Sequence, residues 1–420
     1  MQERLLQFIW QEKYFNASEL LTVTGEKLII QDGGSFNTNQ GPDFTNARIL
    51  LDGTFWAGNI ELHTKSSHWY QHRHEQDPNY RNIILHVVWE DDTPELSRSL
   101  PTLVLQNRVP SIMLSRYSDL MMQASAIACQ HLVEDVPRDL WLHWKKDLLH
   151  QRLRRKAAMV LDLLKEARNH WEECHWWWTA RHFGGPVNGA FFEQVARSIS
   201  IKQLARHRNQ VIQLEALLLG QANLLDESNS DPYVQLLQRE FQYLREKYSL
   251  RQVHGRVQKL RMRPAAFPEV RLAQLAMLLH RGGQLHQRMI ETTGLRELEN
   301  LLDITANDFW HYHYTLQEAT PYQPKHIGQE MGHQLIINAI VPLVYAAGLR
   351  QHQSLLQQRA VSWLEQITAE QNSLLRGWER AGVEIINAAE SQAMTELKKC
   401  YCTAKRCLDC EIGKFLLNRS

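Results

Sequence analysis

The hydrophobic pattern of this 420-residue chain changes period once, and that change limits what the chain can fold into. Up to about residue 110 the apolar residues fall in short β-like runs: Leu28–Ile30, Ala47–Leu51, Phe55–His63, Ile83–Trp89 and Thr102–Leu105. From Ser111 onward they recur every three or four residues, beginning with Leu140, Trp144, Leu148, Leu149 and Leu153. Alternation is the signature of strands and a period near 3.6 that of helices. The pattern predicts an α+β chain with three parts. A small mixed β-sheet with flanking helices occupies 1–110, a large all-α domain 111–395, and a cysteine-rich metal-binding segment 396–420.

Within the first part, Leu5, Leu6, Phe8 and Ile9 mark one face of a short helix. Asp52-Gly53 joins two strands as a hairpin. Ser66-Ser67 starts a helix running to about Glu75, and Asp77-Pro78 stops it. Ile83–Trp89 is apolar enough for a buried central strand. Gly184–Gly189, Pro264, Pro268, Gly282-Gly283 and Pro321–Pro324 break the helical part, and no fixed repeat runs through it. Ile336–Tyr345 reads as its buried central helix, with Pro342 kinking it and Asn338 needing partners.

Two acids stand where two of the β-runs meet. Asp43 opens one strand of the hairpin and Glu61 lies near the end of the other. Residues two apart on a strand share a face, so Glu61, His63 and Lys65 project together. Such a set can hold Mg²⁺ or Mn²⁺ and position a water for phosphodiester cleavage. His68 and His72 share a helix face at a spacing of four, and His86 sits inside the apolar strand, where Glu61 can serve it as a partner. This second cluster also admits a Zn²⁺-dependent hydrolase of small molecules, although HExxH is absent.

At the other end, Cys400, Cys402, Cys407 and Cys410 form C-x-C-x₄-C-x₂-C. Four thiolates so close in sequence suit a structural Zn²⁺ site or an iron–sulfur cluster. Lys398, Lys399, Lys405 and Arg406 surround them and are expected to lower the thiol pKa values. In the helical part, Arg152 and Arg155 form one basic group and Arg256, Lys259, Arg261 and Arg263 another; both are candidate phosphate contacts. Trp176–Trp178 and Trp310–Tyr314 are read first as packing and second as stacking surfaces for bases.

The formal net charge of +1 gives no global basic field, so any nucleic-acid surface is a local patch. No stretch approaches the ~18–20 apolar residues of a membrane span, and Glu3 breaks the pattern of a signal peptide. Together with cysteines grouped for metal rather than disulfides, this predicts a cytoplasmic protein with no membrane partner.

Two resemblances add to this reading. Pro42-Asp43, then Glu61-Leu62-His63, then a helix and an apolar strand resemble the PD-(D/E)xK, restriction-endonuclease-like nuclease superfamily over residues 28–92. The resemblance implies a restriction-endonuclease-like fold, Asp43 and Glu61 as metal ligands, and His63 in the place of the usual lysine, with Lys65 as its substitute. The phrases Gly41-Pro-Asp-Phe, Gly58-Asn-Ile-Glu-Leu-His63, Ser66-Ser67-His-Trp69 and Ile84-Leu-His-Val-Val-Trp-Glu90 resemble the bacterial domain of unknown function 2851 (DUF2851). So do Arg263-Pro264 to Leu275, Ile337-Asn338 to Gly348 and the terminal cysteines. The expectations that follow are a metal-dependent nuclease or a nucleic-acid-binding relative of one, a non-catalytic scaffold that binds a protein partner, and a Zn²⁺-dependent hydrolase.

Overall fold

The computed structural model describes residues 1–225 and 229–418. They form two compact units. The first takes the described residues of Met1–Trp144, Arg380–Val383 and Leu397–Ser420; the second takes those of Lys145–Glu379 and Glu384–Glu396. The cysteine-rich segment is thus part of the first unit rather than a separate domain, and that unit runs past residue 110.

The first unit opens with helix α1 (Glu3–Gln11), whose Leu5, Leu6, Phe8, Ile9 and Trp10 are buried. A seven-stranded sheet follows: β1 (Leu20–Leu21), β2 (Lys27–Asp32), β3 (Ser35–Phe36), β4 (Phe44–Leu51), β5 (Thr54–Lys65), β6 (Ile83–Glu90) and β7 (Thr102–Val104). Its order is β1-β2-β4-β5-β6-β7, with β3 beside β4. The pairs from β1 to β5 are antiparallel, while β5–β6 and β6–β7 are parallel. The Asp52-Gly53 turn makes the β4–β5 hairpin as expected, both residues taking positive φ. Ile60, Leu62, Leu85 and Val87 are buried completely, as the apolar run of β6 predicts for a central strand.

Three irregularities shape one end of this sheet. The β4–β5 register slips between Phe44 and Ala47, where Asn46 adopts left-handed φ, and the β5–β6 register slips between Asn59 and Ile60. Gly58 permits the second: a Cβ there would stand 2.5 Å from Ile84 Cγ2 and 2.6 Å from the Asn82 carbonyl. The crossover from β5 to β6 is shorter in helix than the sequence predicts. Helix α2 covers His68–Gln71 only, and Arg73 turns left-handed (φ 58°) before two 3₁₀ turns, His74–Gln76 and Pro78–Tyr80. That left-handed residue reverses the chain and sends His74 back towards β5.

Helices α3 (Pro94–Ser99) and α4 (Ser111–Met122) follow, and helix α5 (Arg138–Glu166) begins in this unit. The terminal segment returns with a π-helical turn at Leu397–Cys402, a 3₁₀ turn at Cys407–Asp409 and a helix at Glu411–Leu417. Leu408 and Leu417 join the same core as the sheet.

The second unit is helical. Helices Trp171–Phe183 and Gly185–Ser198, Val211–Gln221 and Pro232–Tyr248, and Val341–Arg350 and Ser354–Gln366 are its closely packed consecutive pairs. Residues 329–350 are long and apolar enough to cross a membrane, against the sequence reading that no stretch approaches that length, and 72% of their apolar window is buried inside the fold. The expected kink at Pro342 takes the form of a π-helical turn over Ile336–Ile340. Proline has no N–H to return to the carbonyl four residues back, and a widened turn absorbs the missing bond. Asn338 finds its partners in Lys156 Nζ (2.9 Å) and the Gln334 carbonyl (3.1 Å).

Candidate metal centre

Strand pairing brings the two acids together. Phe44 faces Ile60 across the hairpin, so Asp43 and Glu61 occupy adjoining places at the sheet end. They lock reciprocally: the Asp43 amide donates to Glu61 Oε2 (3.0 Å), and the Leu62 amide donates to Asp43 Oδ2 (3.0 Å). Gln7 of α1 donates to the other Asp43 oxygen, Oδ1, at 2.8 Å. Three of the four carboxylate oxygens therefore accept a fixed hydrogen bond, and Glu61 Oε1 is left facing the imidazoles. It lies 3.7 Å from His63 Nε2 and 3.4 Å from His74 Nε2.

The histidines close the arrangement. His63 Nε2 is 3.2 Å from His72 Nδ1. One ligand nitrogen from each of His63, His72 and His74 lies within 4.8 Å of the other two. His63 Nδ1 meets His86 Nε2 at 2.9 Å, which fixes the ring and turns Nε2 of His63 to Glu61. Trp69 packs against both His74 and His86, with ring centroids at 5.4 Å in each case, and Tyr80 stacks on His74 at 3.8 Å. His74 Nε2 is buried with no hydrogen-bond partner. An orphaned buried nitrogen beside a carboxylate oxygen is a costly arrangement for a fold to keep and fits a cation bound between them. Three imidazoles and a carboxylate are donors suited to a transition metal.

The electrostatics agree. Burial pushes Asp43 up to about 7. Burial, and then Asp43 itself, pushes Glu61 up to about 9, with Glu3 adding to both. His63 is pushed down to about 2 by burial and then by the surrounding imidazoles, and His86 down to about 3 by burial. Burial also lowers His74. Neutral imidazoles are ready to bind a metal, and two adjoining acids that resist ionising together are relieved by one.

Other predicted residues lie elsewhere. Lys65 stands at the exposed end of β5, 3.8 Å from Glu90 and 3.9 Å from Asp92, so those acids and not Glu61 receive its charge. His68 rests against Thr64 Oγ1 at 3.4 Å, and its place in the triad goes to His74. Gln7, His74 and Tyr80 belong to the site although sequence reasoning did not place them there. The signal for His74 is the histidine-rich stretch it shares with His63, His68, His72 and His86 beside the two acids, although its spacing of two from His72 is not that of a shared helix face.

In the second unit Arg152 is buried: its Nε donates to Gln392 Oε1 (2.6 Å), and its Nη1 pairs with Glu396 (3.2 Å). Arg155 binds the same carboxylate through two nitrogens, at 3.0 and 2.6 Å. Lys259 pairs with the buried Glu269. These three are committed to internal acids, unlike the expected phosphate contacts. Arg256, Arg261 and Arg263 are exposed. They lie on an irregular strap rather than a helix. Asn223 binds the Val253 and Gly255 carbonyls, and Asn188 binds the backbone of Gln258, so side-chain amides take the groups a helix would use. Trp176, Trp178 and Trp310 are buried, with their indole N–H groups bound inside the unit, which agrees with packing and not with stacking on bases.

Burial raises the Cys402, Cys407 and Cys410 thiols, Cys407 to about 11, which overrides the lowering expected from the neighbouring lysines.

No curated protein and no solved structure matches the chain. The family described as a protein of unknown function, DUF2851, matches over residues 3–373, and with a match of that extent the chain belongs to DUF2851.

Proposed function

We propose that this protein is a metal-dependent phosphodiester hydrolase of the nuclease type, with its centre at Glu61, His63, His72 and His74 and with Asp43 beside them. The observation that carries the reading is the convergence of two adjoining acids and three imidazoles on Glu61 Oε1 and its surroundings. The order of elements supports the substrate class. A helix, an antiparallel β2–β4–β5 meander, a short crossover and a parallel β6 carry the first acid at the head of β4 and the second on β5. This is the arrangement expected of a restriction-endonuclease-like core.

A bound divalent cation supplies Lewis-acid chemistry, polarising a phosphoryl oxygen and lowering the pKa of a coordinated water. The residues do the rest. Glu61 offers Oε1 because the Asp43 amide holds Oε2. His86 sets the tautomer of His63, and Tyr80 fixes the plane of His74. His72 is exposed and forms the rim by which substrate approaches. The imidazoles favour Mn²⁺ or Zn²⁺ over Mg²⁺, whose preference is for oxygen. Of the basic residues expected to contact phosphate, Arg256, Arg261 and Arg263 are exposed and lie outside the ion pairs with internal acids that hold Arg152, Arg155 and Lys259.

A second reading, a Zn²⁺ hydrolase of small molecules, is favoured by the burial of Glu61 and His63, which restricts the approach of a bulky substrate. The test is cleavage of single- and double-stranded DNA and RNA by the full chain with Mg²⁺, Mn²⁺ or Zn²⁺. The expected result is cleavage that Glu61→Gln and His74→Ala each reduce more than about 100-fold, and His86→Ala by about 10–100-fold. Cleavage unchanged in Glu61→Gln sinks the proposed centre. Loss of only small ester or amide hydrolysis in these variants moves the reading to the second.

A further inference from the structure

Helix α1 and the C-terminal segment of the first unit enclose a cavity of about 330 Å³, the size of a small ligand pocket. Its charged walls are Arg4 of α1 and Arg406, Asp409 and Lys414 of the C-terminal segment, and its aromatic walls include Phe36 and Tyr401. Each arginine is fixed on two sides. Arg4 Cζ stands over the Phe36 ring, 4.7 Å from its centroid, and Nη2 donates to Asp409 Oδ1 at 2.5 Å. Arg406 Cζ stands over the Tyr401 ring at 5.1 Å, and Nε donates to Asp409 Oδ2 at 2.9 Å. One carboxylate thus aligns two guanidiniums, each against its own ring. A ring restrains a guanidinium without taking up its edge. The two guanidiniums carry about ten N–H donors, and a carboxylate accepts about four hydrogen bonds.

The cavity is tied to the metal centre. Arg4 Nη1 reaches Gln7 Oε1 at 3.5 Å, and Gln7 Nε2 donates to Asp43 Oδ1 at 2.8 Å. The loop after β3 makes a second tie: Thr38 lines the cavity, and the amide of its neighbour Asn37 donates to the Asp43 carbonyl at 2.7 Å.

We propose that this cavity binds the terminal phosphate of a nucleic-acid strand, with Arg4 and Arg406 gripping its oxygens and Lys414 adding charge, so that the neighbouring centre acts near a phosphorylated end. The role at a strand end rests on the nuclease reading of the Glu61 centre; the binding of phosphate does not.

Charge selects the ligand. Three cations and one carboxylate line the cavity, an excess of two positive charges. Lys414 also meets Glu411 at 3.1 Å, a half-exposed pair of little strength. A terminal phosphate monoester carries about −1.5 to −2 at neutral pH, which matches the excess, whereas a backbone diester carries only about −1. The monoester also offers three oxygens, enough for two guanidiniums to bind in forks.

The test titrates the full chain, with a chelator present to stop cleavage, against short single-stranded oligonucleotides bearing a 5′-phosphate, a 3′-phosphate or hydroxyls at both ends. One phosphorylated strand is expected to bind about 10–100-fold more tightly than the hydroxyl strand, the worth of a charge-assisted contact. Arg406→Gln is expected to lose that preference and still bind the hydroxyl strand. Arg406→Lys is expected to keep part of it, because an ammonium supplies the charge without the fork. Since Arg406 also braces Asp409, the wild type is in addition treated with an arginine-specific dicarbonyl reagent and the labelled peptides are mapped. The phosphorylated strand is expected to protect Arg4 and Arg406. Equal affinity for all three strands, an undiminished preference in Arg406→Gln, or labelling of both arginines that ignores the strand overturns the proposal. Competition by AMP where no phosphorylated strand is preferred assigns the cavity to free nucleotides and overturns its role at a strand end. Glu61→Gln is expected to keep the phosphate preference, so the two readings fail separately: a wrong metal centre shows as cleavage that ignores Glu61, and a wrong cavity as binding that ignores the phosphate.

Discussion

Two clusters of buried charge, one in each unit, differ in how they are finished. In the helical unit Glu396 binds Arg152 and Arg155, and Arg152 also binds Gln392. Opposite charges meet there and the guanidinium donors find acceptors. In the sheet unit Asp43 and Glu61 are like charges side by side, His74 Nε2 is orphaned, and four imidazoles crowd together with two of them against one carboxylate oxygen. The first arrangement holds a fold together. The second costs stability as it stands, and a cation would repair it. The difference separates a structural network from a candidate site better than counting ionisable residues does, because both clusters contain several of them.

The largest effect that distinguishes the two should come from the finished network. Arg152→Ala leaves Glu396 buried with part of its compensation gone and is expected to cost about 3–5 kcal/mol in urea unfolding. A cost under 1 kcal/mol would place Arg152 among ordinary surface residues and erase the contrast.

Glu215 sharpens the comparison, since it is a single buried acid rather than a pair. Its Oε2 accepts from Tyr233 (2.6 Å) and Trp310 (3.1 Å), and burial pushes it up to about 7. Folding therefore favours its protonated form. The stabilisation is complete below the unfolded pKa of about 4.5 and is lost as pH rises to 7, a change of at most about 3 kcal/mol. Unfolding free energy measured from pH 4.5 to 7.5 should fall more in the wild type than in Glu215→Gln; parallel curves would show that Glu215 ionises freely in the fold.

Gly58→Ala tests whether the sheet irregularity builds the site. The added methyl meets Ile84 and the Asn82 carbonyl, so β5 and β6 must separate. We expect a loss of about 1–3 kcal/mol and weaker metal uptake. Normal uptake with lowered stability would detach the bulge from the centre.

The smallest change in stability is expected at Glu61 itself. Without added metal, Glu61→Gln should unfold within about 0.5 kcal/mol of the wild type or later than it, because a like-charge contact disappears and the amide oxygen still accepts from Asp43. Added Mn²⁺ or Zn²⁺ should raise the melting temperature of the wild type and not of the variant. A large loss of stability without metal would put Glu61 in the same class as Glu396.

Much of the sheet unit was legible because its signals are local. Alternation placed the strands, Asp52-Gly53 made the hairpin, and that hairpin alone brought Asp43 to Glu61. The buried arginines were illegible for the opposite reason. A run such as Arg152–Lys156 looks alike whether it faces water or the acids of a helix more than 200 residues away, and Gln392 and Glu396 decided the matter for Arg152 and Arg155. The strap that carries Arg256 and Arg261 falls within the part expected to be all-α, yet it is irregular because Asn188 and Asn223 hold its backbone from other elements.

The sequence by itself determined the two classes of structure, the strand faces and the pairing of the two acids, since hydrophobic period and turn chemistry act over a few residues. Only the tertiary structure decided which histidines join Glu61, that Lys65 turns away, and that Arg152 and Arg155 meet Glu396. Those choices depend on a left-handed residue at Arg73, on side-chain partners at the strand end, and on contacts between stretches that chain order keeps hundreds of residues apart. Loop closure over such distances adds little entropy cost with length, so packing and not sequence proximity selects the partners.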